Sequence, residues 1–216
     1  MTDYVDPPVG RIPAARIIEI TPDVTVWRIH SSAADRDANV LNPTPQPRAR
    51  RGGRFDSIDG SFSYLYLGDS PAATVAETLC RNLPVDQSPR LIPRAQIRGR
   101  VLSEVRLTRT IRVADLTGAA AARINAGVWL TKCSPDGYLH TRRWAHAILD
   151  TNEGIDGLQY RPRHDENNLA WMLTGLPSAT THDAIEPAGR RIELDSADGH
   201  YLLGDILVEH NAALAP

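Results

Sequence analysis

Arg28 stands in the run VTVWRIH, between Trp27 and Ile29. A guanidinium never titrates away its charge, so an arginine in an apolar strand is costly unless an anion pairs with it. That anion is either a protein carboxylate or a bound ligand. In Gly52-Gly53-Arg54-Phe55-Asp56 a second guanidinium follows two glycines. The planar fork of Arg54 suits a phosphate, and Gly52 and Gly53 let backbone approach a ligand closely; the bland alternative is a solvated loop. Glu77, in AATVAETLCRN, offers a carboxylate that can offset developing positive charge; otherwise it is an ordinary exposed helical glutamate. Tyr66, in FSYLYLG, offers a ring face for stacking on a planar group, or fills the core of an alternating strand.

Each of these residues needs an element to place it. VTVWRIH reads as a first strand after a Pro-rich, irregular segment over 1–23. Residues 31–53 read as a long loop, too long to be ordinary inside a compact domain. FSYLYLG at 62–68 alternates Phe62, Tyr64 and Tyr66 against Ser63, Leu65 and Leu67. Ser70-Pro71 is an N-cap followed by a proline at the first helical position, and apolar residues at helical spacing predict a helix to about Asn82. A second loop spans 83–98. Strands are predicted over 101–107, 110–116, 157–162, 168–173 and 190–194, and helices over 118–126 and 138–149. HYLLGDILVEHN at 200–211 reads as a helix, with a strand as the alternative. The irregular interleaving, without a repeating βαβ unit, predicts an α+β single domain over 24–212.

Composition removes several classes. Apolar residues make up 42% and charged residues 23%, so the chain is globular in character. No apolar run is long enough for a membrane span, and no secretory leader is visible. The net charge is −2 and no aromatics interleave the basic tract RARRGGR, which argues against direct nucleic-acid binding. Cys80 and Cys133 have neither zinc nor redox spacing and read as core filler in a reduced, cytoplasmic protein. GxGxxG, Walker A, HExxH and GxSxG patterns are absent, and His164-Asp165-Glu166 reads as a solvated turn rather than a metal site.

Taken in order, Trp27-Arg28-Ile29, Gly52-Gly53-Arg54-Phe55-Asp56, Tyr66-Leu67, Ser70-Pro71 leading to Glu77-Thr78-Leu79, and Asp156-Gly157-Leu158-Gln159-Tyr160 with Asn167 or Asn168 before Leu169-Ala170 resemble the RES-domain family. That family supplies the toxin of many bacterial toxin–antitoxin pairs. The resemblance spans about residues 24–175. It implies a fold similar to the ADP-ribosyltransferases, with mixed twisted sheets flanked by short helices. It also implies cleavage of the nicotinamide–ribose bond of NAD, which is then substrate and not cofactor, and restraint by a cognate Xre-type helix-turn-helix antitoxin.

Cleaving that bond needs no general acid, because a cationic nicotinamide leaves neutral. It needs a carboxylate near an oxocarbenium-like transition state, a slot for the departing ring and cations for the pyrophosphate. The resemblance assigns these roles to Glu77 (carboxylate), Tyr66 (stacking) and Arg28 (phosphate or carboxamide anchor). Arg54, Gly53 and Tyr160 complete the NAD-binding set, and no metal is implied. One departure stands out: Pro162 occupies the position where the family carries serine, and it has no hydroxyl. Arg161 or Ser178 is the candidate substitute. Three functions stay open on this reading: an NAD glycohydrolase or phosphorylase, a protein ADP-ribosyltransferase, and a catalytically silent binding module.

Overall fold

In the computed structural model, which describes residues 4–22 and 24–216, the β-prone runs pair into one eight-stranded mixed sheet. The strands are β1 (Arg16–Ile20), β2 (Thr25–Ser31), β3 (Ser63–Gly68), β5 (Arg100–Leu107), β6 (Ile111–Asp115), β7 (Gly157–Tyr160), β8 (Ala170–Gly175) and β9 (Ile185–Glu193). Their order is β1-β6-β7-β8-β3-β2-β5-β9. A small parallel pair, β4 (Leu91–Ile92) with β10 (Ala213–Leu214), lies apart. The helices are α1 (Pro71–Val75), which continues into a π-helical turn over Ala76–Cys80, then α2 (Ala120–Arg123), α3 (Trp129–Lys132), α4 (Tyr138–Thr151) and α5 (Ala197–Glu209). This is the expected α+β architecture. β6 and β7 run parallel, and α2, α3 and α4 form the crossover that such a pair requires.

The sheet is nearly two sheets. β2 pairs with β5 along its whole length, and β3 with β8 likewise. Between β2 and β3 the register holds one pair, Trp27 with Gly68. Beyond that point Arg28–Ser31 and Tyr64–Tyr66 diverge and line the same open space. The start of α1 closes one end of the split, where the Thr74 hydroxyl donates to the Trp27 carbonyl at 3.2 Å.

Three buried clusters hold this frame. α4 lays Trp144, Ala145 and Ile148 against Tyr64, Tyr160 and Met172 on one face of the sheet. Leu65, Leu67, Val105, Val113, Trp171 and Leu173 fill the other face. β3 thus sends its tyrosines one way and its leucines the other, as strand alternation demands. A third cluster joins Val75 and Leu79 to Leu102, Leu203 and Leu207 of β5 and α5. Cys80 and Cys133 are free, buried thiols, as expected.

Several boundaries differ from the sequence reading. The segment 1–23 is not irregular throughout: Arg16–Ile20 forms β1 and pairs with β6 at the sheet edge. Its half-buried pattern carries little periodic signal. The 157–162 strand stops at Tyr160, ahead of the proline that can donate no ladder bond. The 168–173 strand begins at Ala170, because Asp165 draws the Asn167 and Asn168 amides into a turn. The 190–194 strand starts at Ile185 and tolerates Pro187 and Gly189 because it is an edge strand with an irregular register against β5. The last element is a helix, capped by the Ser196 side chain accepting from Gly199 N. Among the described residues no helix is long and apolar enough to cross a membrane, and no group of three or more His, Cys, Asp or Glu is placed to hold a metal ion.

Candidate active site

The split between β2 and β3 opens into a cavity of about 550 Å3. β2 contributes Arg28 to its wall and β3 contributes Tyr66. Gly52, Gly53 and Asp56 come from the long loop, and Glu77 and Arg81 from the helical segment after Ser70. Residues far apart in sequence therefore meet at one place because the sheet fails to zip.

Ser70 accepts from the Ala73 amide at 3.0 Å and starts the helix where the sequence predicts. The last turn, Ala76–Cys80, is π-helical and carries Glu77. A π turn inserts an extra residue and shifts every side chain after it relative to α-helical spacing. Glu77 is 4% exposed, not the exposed helical glutamate of the alternative reading. Its Oε1 accepts from the Tyr160 hydroxyl at 2.9 Å, while Oε2 is buried with no partner among the described residues. Burial pushes its pKa above the ordinary value, against the opposing pull of Arg54, Arg81 and the Tyr160 bond. Tyr160 is fully buried, so it holds the carboxylate from behind the wall rather than facing a ligand.

Asp56 organises the glycine turn. It accepts from the Gly53 amide at 2.6 Å and from the Tyr66 hydroxyl at 2.6 Å. The Tyr66 oxygen in turn accepts from the Phe55 amide at 2.9 Å. Burial and the Asp56 charge push the Tyr66 pKa well up, so it stays a neutral donor. A Cβ on Gly53 would stand 2.6 Å from the Tyr66 hydroxyl oxygen, and Gly52 has a φ of +73°, so both positions need glycine. In the sequence Asp56 is visible only as part of a motif; the structure makes it the link between loop and strand.

Arg28 is 7% exposed. Among the described residues the carboxylate pair of the alternative reading is not formed. Instead its Nη1 donates to the carbonyls of Ala38 at 2.6 Å and Val40 at 2.7 Å. Burial and the nearby Arg36 charge push its pKa down to about 9, which leaves it cationic at neutral pH.

Arg54 is placed differently from the expectation. It is fully buried and is not part of the cavity lining. Its Nη1 donates to the Cys133 carbonyl at 3.0 Å, and its guanidinium lies 5.2 Å from the Tyr138 ring centroid. Arg54 thus stands as a cation behind the wall, in the field of Glu77, and its Nε and Nη2 have no hydrogen-bond partner among the described residues. The exposed Arg48, Arg50 and Arg51 are also absent from the lining, and Arg50 pairs with Asp136 at 2.6 Å. The lining cations are Arg28, Arg36, Arg81, Arg98 and Arg100. Among the described residues, the last four enter no salt bridge and donate no side-chain hydrogen bond, so they are free to meet an anion. Arg81 lies four residues after Glu77, a spacing the sequence displays. Arg36, Arg98 and Arg100 sit in irregular segments or at a strand start, where no periodicity marks them.

Pro162 lies outside the lining, and its carbonyl accepts from Lys132 Nζ at 2.6 Å. Arg161 and Ser178 are outside it as well.

No curated sequence gives a significant match. Among solved structures, a chain from the crystal structure of the M.tuberculosis MbcT–MbcA toxin–antitoxin complex superposes with a TM-score of 0.57 at 18% identity, over 87% of this chain and 92% of that one. At that identity the likeness establishes a shared fold. The family model described as the RES domain matches residues 25–195, a range that holds every residue lining the cavity, and the chain belongs to the RES-domain family.

Proposed function

We propose that this chain is a toxin enzyme that cleaves the nicotinamide–ribose bond of NAD, with water or phosphate as acceptor. The observation that carries the reading is Glu77: a buried carboxylate with one unpartnered oxygen, in the wall of a cavity otherwise rich in uncompensated arginines. A dinucleotide supplies what each group lacks. Its pyrophosphate offers anionic oxygens to Arg28, Arg36, Arg81, Arg98 and Arg100. Its nicotinamide ring offers a planar face to Tyr66. Positive charge that develops on the ribose as nicotinamide leaves is offset by Glu77 in a site of low dielectric.

Pro162 does not weigh against the enzyme reading. It lies outside the cavity wall, so its missing hydroxyl removes no group from the lining. The fold match to a chain of a toxin–antitoxin complex supports a cognate antitoxin as partner. Consumption of cytoplasmic NAD implies that compartment for the enzyme and makes such restraint necessary.

The test is direct. Purified protein is incubated with NAD, with and without phosphate, and nicotinamide, ADP-ribose, phosphorylated ADP-ribose and labelled protein are measured. Nicotinamide release with free ADP-ribose identifies a glycohydrolase, and a phosphate-dependent phosphorylated product identifies a phosphorylase. Covalent labelling of a protein target identifies an ADP-ribosyltransferase. No release by well-folded protein overturns the enzyme reading.

A further inference from the structure

We propose that Arg142 is a positioning residue for the cavity: it folds the 46–53 segment onto its guanidinium and so sets where Gly52 and Gly53 stand in the wall. The functional half of this proposal rests on the dinucleotide reading above; the structural half does not.

Arg142 lies on α4, is fully buried, and makes no salt bridge among the described residues. Its Nε and Nη2 both donate to the Gly53 carbonyl, at 3.0 and 2.9 Å. Nη1 donates to the carbonyls of Gln46 and Arg48, each at 2.7 Å. Nη2 also donates to the Arg51 carbonyl and makes a long contact of 3.5 Å to that of Ala49. The Thr141 hydroxyl takes the next carbonyl, that of Arg54, at 2.6 Å. Adjacent residues of one helix thus gather the carbonyls of an irregular segment running from Gln46 to Arg54.

Beyond the Gln46 amide on the Ser57 carbonyl, the Arg50–Asp136 pair and the Gly53 amide on Asp56, the segment has little to fix its shape. It contains no helix or strand. The side chains of Arg48, Arg50 and Arg51 are exposed, so hydrophobic burial does not hold it. Carbonyls pointing inward toward one another repel as dipoles unless a cation stands among them. A guanidinium suits the position: it presents five N–H donors in a fixed plane and stays charged even when buried. Lysine at this position keeps the charge but lacks the planar fork. At the far end of the segment, Gly52 and Gly53 reach the cavity, and Gly53 connects through Asp56 to Tyr66.

The exposed Arg48 and Arg51 side chains provide a readout independent of catalysis. Trypsin recognises arginine side chains and attacks the carbonyl that follows, and Arg142 holds the carbonyls of both residues. Arg142→Ala, Arg142→Lys and wild type are compared by limited trypsin digestion with mass identification of termini at Arg48 and Arg51. Circular dichroism and thermal melting confirm that each variant is folded. NAD affinity is measured by calorimetry in a Glu77→Gln background. Cleavage at these sites is expected to rise at least about tenfold in Arg142→Ala, with NAD affinity falling about tenfold and Arg142→Lys intermediate in both. If Arg142→Ala fails to fold, Arg142→Lys carries the same comparison. Wild-type cleavage rates in a folded variant overturn the proposal. Fast cleavage with unchanged affinity also overturns it, because the segment then does not shape the binding site. If NAD fails to bind even the parent protein, the dinucleotide reading has failed, and the tryptic rates still decide whether Arg142 holds the segment.

Discussion

Tyr160 and Glu77, 83 positions apart in the chain, meet in a 2.9 Å hydrogen bond that fixes one carboxylate oxygen and leaves the other without a partner among the described residues. β7 ends at Tyr160 and the π-helical turn carries Glu77, so the bond ties the middle of the sheet to the helix beside the β2–β3 split. A buried carboxylate held by one phenol and faced by Arg54 and Arg81 is oriented without being neutralised by a direct ion pair. That is the arrangement an electrostatic role requires.

Glu77→Gln separates function from stability. Burial raises the folded-state pKa of Glu77 above the ordinary 4.5. A raised folded-state pKa means that the charged form opposes folding. The stability contribution is full below the unfolded value and is lost as pH rises through the folded value. The glutamine variant is nearly isosteric and carries no charge. It should therefore melt at or above the wild-type temperature near neutral pH, with the difference closing in acid. Its NAD cleavage should fall by about a hundredfold to a thousandfold. Wild-type turnover in carefully desalted Glu77→Gln protein would end the assignment. A lowered melting temperature together with lost activity would favour a structural role instead.

Tyr160→Phe tests the bond itself. The phenol favours the charged carboxylate, so its removal raises the Glu77 pKa further. The acidic limb of the pH–rate profile should move to higher pH. Folding should weaken by about 1.5–3 kcal/mol near neutral pH, the usual value of a hydrogen bond to a charged group. The stability loss should shrink as Glu77 protonates. An unmoved acidic limb would show that the titrating group in catalysis is not Glu77.

Part of this site is legible in the residues alone, and what is not legible has physical causes. Ser70-Pro71 announces its helix because capping is local chemistry, and the bond from the Ala73 amide realises it. The alternation in β3 separates Tyr66 from Leu65 and Leu67 because a strand face repeats every second residue. The π turn at Ala76–Cys80 is hidden, since its apolar residues also satisfy α-helical spacing. Arg54 stands behind the wall because burial, which nothing local in the sequence marks, places its Nη1 on the Cys133 carbonyl. Arg142 carries no signal because its five partner carbonyls lie about 90 residues away, on an irregular loop. The cavity itself depends on where β2 and β3 stop pairing, which no single run of residues encodes.

Arg28→Ala should weaken NAD binding more than Tyr66→Ala does. Arg28 offers charge-assisted contacts to an anionic group, and it also secures the Ala38 and Val40 carbonyls. The expected loss is about thirtyfold in affinity, or ~2 kcal/mol. Tyr66→Ala should slow the chemical step more than it weakens binding, because its ring is proposed to guide the departing nicotinamide. Calorimetric titration in a Glu77→Gln background measures the binding terms, and single-turnover rates measure the chemical one. Arg28→Ala binding NAD as tightly as its parent would remove the anchor role.

The placement of the arginines makes the salt dependence of NAD binding a map of the site. Arg48, Arg50 and Arg51 are exposed and outside the cavity lining, and Arg50 is already paired with Asp136. Arg98 and Arg100 belong to the lining and enter no salt bridge among the described residues. Charges facing a bound anion across a partly enclosed cavity contribute most to affinity at low ionic strength, whereas charges beyond about 10 Å are screened at 0.1 M salt. Changing Arg48, Arg50 and Arg51 together to Gln should leave the dependence of NAD affinity on salt almost unchanged. Changing Arg98 and Arg100 together to Gln should flatten it and weaken binding at low salt. An antitoxin that inhibits by presenting a carboxylate-rich segment to the cavity would show the same pattern in its association rate, because steering follows the same field. A slope lost in the triple variant and kept in the double one would place the operative positive charge on the loop surface rather than in the cavity.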